Sequence, residues 1–119
     1  MLLSPFVPLA VAALALLPTQ IGSVEIGPEV IEVSGLGHKR TIPCEGRRVD
    51  VGGSGHDLTF TGVCSGLELA GTDNKVVITL APNAVLDVAG TGQVVRWRSS
   101  GQPRLVLNGV DNSVSRIHD

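Results

Sequence analysis

The chain has 119 residues, of which 43% are hydrophobic but only 3% aromatic, with 15 glycines, no tyrosine and a formal net charge of −2 at pH 7. That length is one domain's worth, and its interior has to be built from Val, Leu and Ile on many short strands rather than from bulky aromatic anchors. Lys and Arg are scattered and the sequence pI is about 5.8, so the clustered basic face that nucleic acid requires is missing and nucleic acid is not an expected partner.

Residues Met1 to Leu17 are almost wholly apolar and carry no charge. The run Val7 to Leu17 has the length of a signal-peptide h-region and falls short of the ~20 residues of a membrane span. Residues 1–23 are therefore expected to form a signal peptide or hydrophobic leader, with the small pair Gly22-Ser23 at its end, and residues 24–119 a single exported domain. The n-region has no Lys or Arg, and no cysteine lies near residue 20. A lipid-modified N-terminus is not indicated, so membrane contact is expected only through an uncleaved leader. Val24 to Val30, VEIGPEV, reads as an extended cap segment.

From Ile31 onward one pattern recurs five times, most clearly as LELAGTDNKVVI at Leu67 to Ile78. Its pivot glycines, Gly35, Gly53, Gly71, Gly90 and Gly109, are 18, 18, 19 and 19 residues apart. A near-constant period of this size is the signature of a solenoid in which each repeat is one coil stacked on the last. Four and two residues before each pivot the chain is apolar: Ile31 and Val33, Val49 and Val51, Leu67 and Leu69, Leu86 and Val88, Leu105 and Leu107. Such alternation is a strand with one buried face. A second alternation follows the pivot at Leu58 and Phe60, Val76 and Ile78, Val95 and Trp97. The first coil breaks it with Arg40, and the last places Val114 and then Arg116-Ile117 one residue out of phase. The fold class expected is all-β, a small parallel β-solenoid of about five coils.

Between the two strands lies a corner. Gly37, Gly55, Asp73, Gly92 and Asp111 occupy one place in it, as suits a residue with positive φ. Next come His38, His56, Asn74, Gln93 and Asn112, expected to stack coil upon coil as a hydrogen-bonded structural ladder. The rest of each coil varies, and Pro82 and Pro103 deny ladder donors there, so loop or edge is expected rather than continuous sheet.

Cys44 and Cys64 are the only cysteines. Their spacing of one coil plus two residues brings them near the Cα separation of about 4.4–6.8 Å that a disulfide needs. A bridge is favoured in an exported chain. Glu32, Asp50, Glu68 and Asp87 fall three residues before successive pivots and should form an outward acidic row, ended by Val106. One reading is a solvated face that discourages edge pairing; the other is a cation-binding stripe. GGSGHD at Gly52 to Asp57 opens like a calcium-binding nonapeptide, but Thr59 stands where that motif needs an apolar residue and no other coil repeats it. His38 and His56 without a thiol or carboxylate at ligand spacing make no metal centre. No metal or other cofactor is expected.

Catalysis has less support. Polysaccharide-cutting β-helices place carboxylates or basic residues in a side groove. Asp57, Lys75, Arg96 and Arg98 lie near the second strand, but no long groove-forming loops accompany them. Phe60 and Trp97 align with core positions rather than with exposed sugar platforms.

The apolar leader, the first cysteine before VDVGGSGHDLTFTGVC, and the units LELAGTDNKVVI and LDVAGTGQVVRW together resemble a family of uncharacterised exported proteins. These occur mainly in mycobacteria and related actinobacteria and are classed as a domain of unknown function. The resemblance spans about Ile42 to Ile117 and includes G-x-G-[HN] corners between the two cysteines. It implies an envelope-associated β-solenoid with Cys44 paired to Cys64, and no activity. Many members carry a lipid-attachment cysteine behind the leader, which this chain does not. The expectation is a non-catalytic envelope module contacting a protein or cell-wall partner through its ladder surface. The alternatives are cation binding on the acidic row and a degenerate polysaccharide-acting β-helix. An open last coil also leaves end-to-end self-association as an expected mode of contact.

Overall fold

The computed structural model describes residues 21–118; most of the expected leader lies outside the described residues. Nine strands and no helix occur among them: β1 (Ile21–Ile26), β2 (Val30–Leu36), β3 (Lys39–Pro43), β4 (Arg48–Val51), β5 (Asp57–Leu69), β6 (Lys75–Val88), β7 (Val94–Ser99), β8 (Arg104–Leu107) and β9 (Ser113–Arg116). They form the parallel solenoid that the glycine period requires. One ladder runs β2, β4, the end of β5, the end of β6 and β8. The other runs β3, the start of β5, the start of β6, β7 and β9. Each of the five coils adds one strand to each ladder.

The apolar pairs stack in register. Ile31, Val49, Leu67, Leu86 and Leu105 form one column, and Val33, Val51, Leu69, Val88 and Leu107 the next. The inward residues of the first four coils, Arg40 excepted, belong to one buried cluster, so the ladders are the two walls of a single core. Full burial of each such side chain contributes about 1.5–3 kcal/mol. Trp97 pairs with Arg116 and Val95 with Val114. The last coil is thus in phase, contrary to the expected slip, and Arg116 itself occupies a core column. Its guanidinium lies 4.9 Å from the centroid of the Trp97 ring and donates to the carbonyls of Ser99 at 2.7 Å and Gly101 at 3.1 Å. A side chain with five donors and a flat apolar face closes this wall where an aliphatic residue would meet water.

The pivots must be glycine for two reasons. Their φ angles lie between 98° and 112°, and a Cβ on Gly53, Gly71, Gly90 or Gly109 would collide with the carbonyl oxygen of the pivot one coil below. That close approach lets Ser54, Thr72, Thr91 and Val110 each donate a 3.0 Å backbone bond to the same carbonyl. The next corner position has φ from 57° to 72° at Asp73, Asp111, Gly37, Gly55 and Gly92, as its residue types predict.

Two expectations are corrected. The third side of the coil is not uniformly loop, since β5 and β6 run through it as continuous extended chain. Ladder pairing nevertheless lapses there: β6 pairs β7 up to Leu80 and β8 from Val85, and between them Pro82 has no amide proton to give. The N-terminal segment is also more than an extended cap. β1 pairs antiparallel with β2 over Ile21↔Leu36 to Ile26↔Ile31, through a turn in which the Gly27 amide donates to the Val30 carbonyl at 2.9 Å. Ile21, Gly22 and Ser23, placed with the leader by composition, are the first half of this strand.

The Cys44–Cys64 disulfide joins the first two coils at a Cα separation of 5.3 Å, with both residues fully buried.

Candidate functional site

The corner column is a continuous hydrogen-bond relay. Each backbone amide donates to the side chain one coil above: His38 to Nδ1 of His56 at 3.1 Å, His56 to Oδ1 of Asn74 at 3.0 Å, Asn74 to Oε1 of Gln93 at 3.1 Å and Gln93 to Oδ1 of Asn112 at 2.8 Å. The other polar end of each side chain bonds a carbonyl four residues back, on Ser34, Gly52, Ala70, Ala89 and Asn108. From His56 upward each member therefore offers one acceptor and one donor about one side chain apart, a requirement met by Asn, Gln and neutral His alike.

His56 is held in the tautomer with the proton on Nε2, because Nδ1 faces an amide donor. Burial lowers its pKa below 6.5, and the neighbouring His38 lowers it further, against the hydrogen bond to Gly52. The two imidazoles stack at 5.1 Å between centroids, and their rings hydrogen-bond backbone groups of Ser34, His38 and Gly52. Among the described residues no group of three or more His, Cys, Asp or Glu side chains is placed to hold a metal ion.

The acidic row forms as spaced. Glu32, Asp50, Glu68 and Asp87 are register partners, and Val106 follows Asp87. The antiparallel β1 adds Glu25 opposite Glu32, a fifth carboxylate in the row. Sequence reasoning missed it, although the signal is present: IGSVEI before the turn is the mirror image of IEVSGL after it, except for Ile against Leu. A mirrored pair of strands flanking Gly-Pro is an antiparallel hairpin whose matching residues point to the same face on both arms. An open cleft of about 460 Å³ beside this turn is lined in part by Glu25, Glu29 and Glu32. Arg48 was also missed. It precedes Asp50 by two residues and reaches across Gly66, its Nη1 lying 3.7 Å from Glu68 Oε1. Both partners are half-exposed, so this pair fixes orientation more than it stabilises.

The opposite wall has the opposite charge. Its outward columns contain Lys39, Asp57, Lys75 and Val94, then Thr59 beside Val77 and Arg96, then Thr79 beside Arg98. Four cations stand there against Asp57 alone, whereas the first wall sets five carboxylates against Arg48 and Arg104. Asp57, the end of the nonapeptide-like stretch, sits in register between Lys39 and Lys75. Phe60 and Trp97 are buried in the core, as their column predicts.

Residues 51–111, half of the chain, match the family described as "Protein of unknown function (DUF3060)". No curated protein and no solved structure matches the chain. The matched stretch begins on β4 and holds Cys64, four of the five pivot glycines and the corner residues His56, Asn74 and Gln93, so the features that build the stacked coil are those the match covers, and the chain belongs to the DUF3060 family.

Proposed function

We propose that this chain is an exported, non-catalytic module of the cell envelope that presents flat ladder faces to a protein or cell-wall partner. The observation that carries this reading is the division of charge between the two walls of one rigid stack. Carboxylates repeat once per coil through the first four coils of the first wall, at the ~4.8 Å step of a parallel ladder, and cations gather on the second. Complementary charge at fixed spacing steers a partner and sets its register more than it adds affinity. The buried disulfide supports an oxidising, extracellular setting.

The test is co-sedimentation of the full chain with purified cell-envelope material at low and high salt. Binding should fall as salt rises. It should also fall in the quadruple variant Glu32→Gln, Asp50→Asn, Glu68→Gln, Asp87→Asn, or in Lys75→Gln with Arg96→Gln. Salt-insensitive binding unchanged in both variants would sink the charged-face reading. A saturable hydrolytic or lyase activity on acidic polysaccharides would overturn the non-catalytic one.

A second reading, cation binding by the acidic row, gains support from Glu25, which extends the row to five. A thermal melt with calcium and then with chelator tests it. Occupancy at a hundred times Kd would add ~2.7 kcal/mol, and an unmoved midpoint would remove the row as a calcium site.

A further inference from the structure

The fifth coil differs from the four below it in ways that a solvated last coil does not require. Its core-column residues Leu105 and Leu107 are 42% and 50% exposed, whereas Leu86 and Val88 beneath them are 0%. β8 pairs β6 on one side and β9 pairs β7 on one side; among the described residues no strand covers the other edge of either. Exposed edges are ordinarily blunted by charge, proline or a bulge. Here the charge of the central outward columns stops, and Arg104 at the start of β8 is the outward charge that stays. The acidic column ends in Val106, and the outward columns of the second wall end in Ser113 and Ser115. Arg116 does not project from the edge either, being turned inward over Trp97 and tied to Ser99 and Gly101.

We propose that this coil is an interface for a second copy of the same chain, β8 pairing antiparallel with β8 of that copy about a two-fold axis. Centred on Val106, the pairing sets Leu105 against Leu107 of the second copy and Arg104 against its Asn108. No like charges then oppose one another, and the leucines of both mouths cover each other. The residue on the axis faces itself, which is why its charge matters most. A carboxylate there, as in every coil below, would meet an identical carboxylate, and directly opposed like charges destabilise a strand pair. Val106 is the one uncharged residue in that column and it occupies that one position. The two ladders are opposite walls of one core, so an axis running from wall to wall also turns β9 antiparallel to its own copy. The contact is isologous, with the same patch used on both sides.

The experiment is sedimentation equilibrium of the full chain across a dilution series, comparing wild type with Val106→Glu and Val106→Thr. Wild type and Val106→Thr should sediment at twice the chain mass when concentrated. Val106→Glu should remain at the monomer mass, with at least a tenfold weaker association. Val106 is half-buried on an edge strand, and circular dichroism of each variant checks that the coil itself persists. As an independent measurement, Val106→Cys should cross-link to its own copy on mild oxidation, because directly paired Cβ atoms lie about 4.5–5.5 Å apart. Wild type that stays monomeric at every concentration overturns the proposal and leaves the end to a different partner. So does a dimer that Val106→Glu leaves intact, or a Val106→Cys chain that does not cross-link.

Discussion

Replacing Asn74 with Ala removes the central rung of the buried corner relay. Its Oδ1 accepts the His56 amide at 3.0 Å, and its Nδ2 donates to the carbonyls of Gly53 at 3.1 Å and Ala70 at 3.3 Å. After truncation the Gly53 carbonyl keeps its 3.0 Å bond from Thr72, but the His56 amide is left buried with no acceptor. An orphaned buried donor costs about 1–3 kcal/mol, and each lost bond about 1 more. The expected loss is about 3 kcal/mol, which lowers the midpoint of a domain this size by roughly 10–20 °C. Asn112→Ala provides the comparison. It breaks equivalent bonds to Gln93, Gly90 and Asn108, but in a half-exposed coil where water can replace them, so it should cost about 1 kcal/mol. Asn74→His keeps an acceptor and a donor in the places that His56 uses and should cost less than Asn74→Ala. Urea titrations with the disulfide intact measure all three on one scale. If Asn74→Ala proves no more damaging than Asn112→Ala, the relay is a by-product of stacking and not a support for it.

Gly71→Ala should cost more than about 3 kcal/mol, since it combines a left-handed backbone with a Cβ driven into the Gly53 carbonyl; Gly46→Ala, at positive φ but in open space, should cost about 1 kcal/mol, and similar melts for the two would refute the close-approach argument. Reducing the Cys44–Cys64 bridge, 20 residues apart, should remove ~3 kcal/mol by the loop-entropy argument, read as the shift of the urea midpoint in reductant. Because the His56 pKa is lowered in the fold, the unfolded chain binds more protons there. The stability it contributes is full above the unfolded pKa of about 6.5 and is lost as pH falls through the folded value. His56→Asn should flatten the stability profile between about pH 7.5 and 5, and an unchanged slope would show that other groups set it. Arg116→Ala should uncover Trp97, the single tryptophan, shifting its emission to the red and costing about 1 kcal/mol; unshifted emission would mean the guanidinium does not shield the ring.

The parts legible in the sequence are those that the repeat states several times. The glycine period, the two apolar columns, the polar corner and the acidic row each rest on four or five aligned residues, and local physics then fixes one reading. Phe60 and Trp97 could be placed in the core because Ile42 and Ile78 share their alignment. What could not be read is whatever occurs once. Arg116 fills a core column, yet apolar alternation alone pointed to its neighbour Ile117, because a counting rule cannot see that an arginine can close a core by its flat face and carbonyl bonds. β1 lies outside the repeat and runs against it, so no period announces it; only the mirror symmetry about Pro28-Glu29 does. Continuous β5 and β6 through the proline-bearing side escaped notice because proline forbids a donated ladder bond without forbidding extended chain. The charge contrast between the walls depended on knowing which outward columns share a side, which pairing alone reveals.

The hairpin over the first coil also gives the stack a direction. An antiparallel strand gives the first rim of a parallel stack an edge whose direction opposes that of every coil beyond it. A further coil can continue the parallel ladders only from the other end, and the proposed contact would use that end in both copies. The two rims of the stack are therefore unlike, one closed to parallel growth and one open to it. Six residues that break the repeat give a short stack of similar coils this polarity.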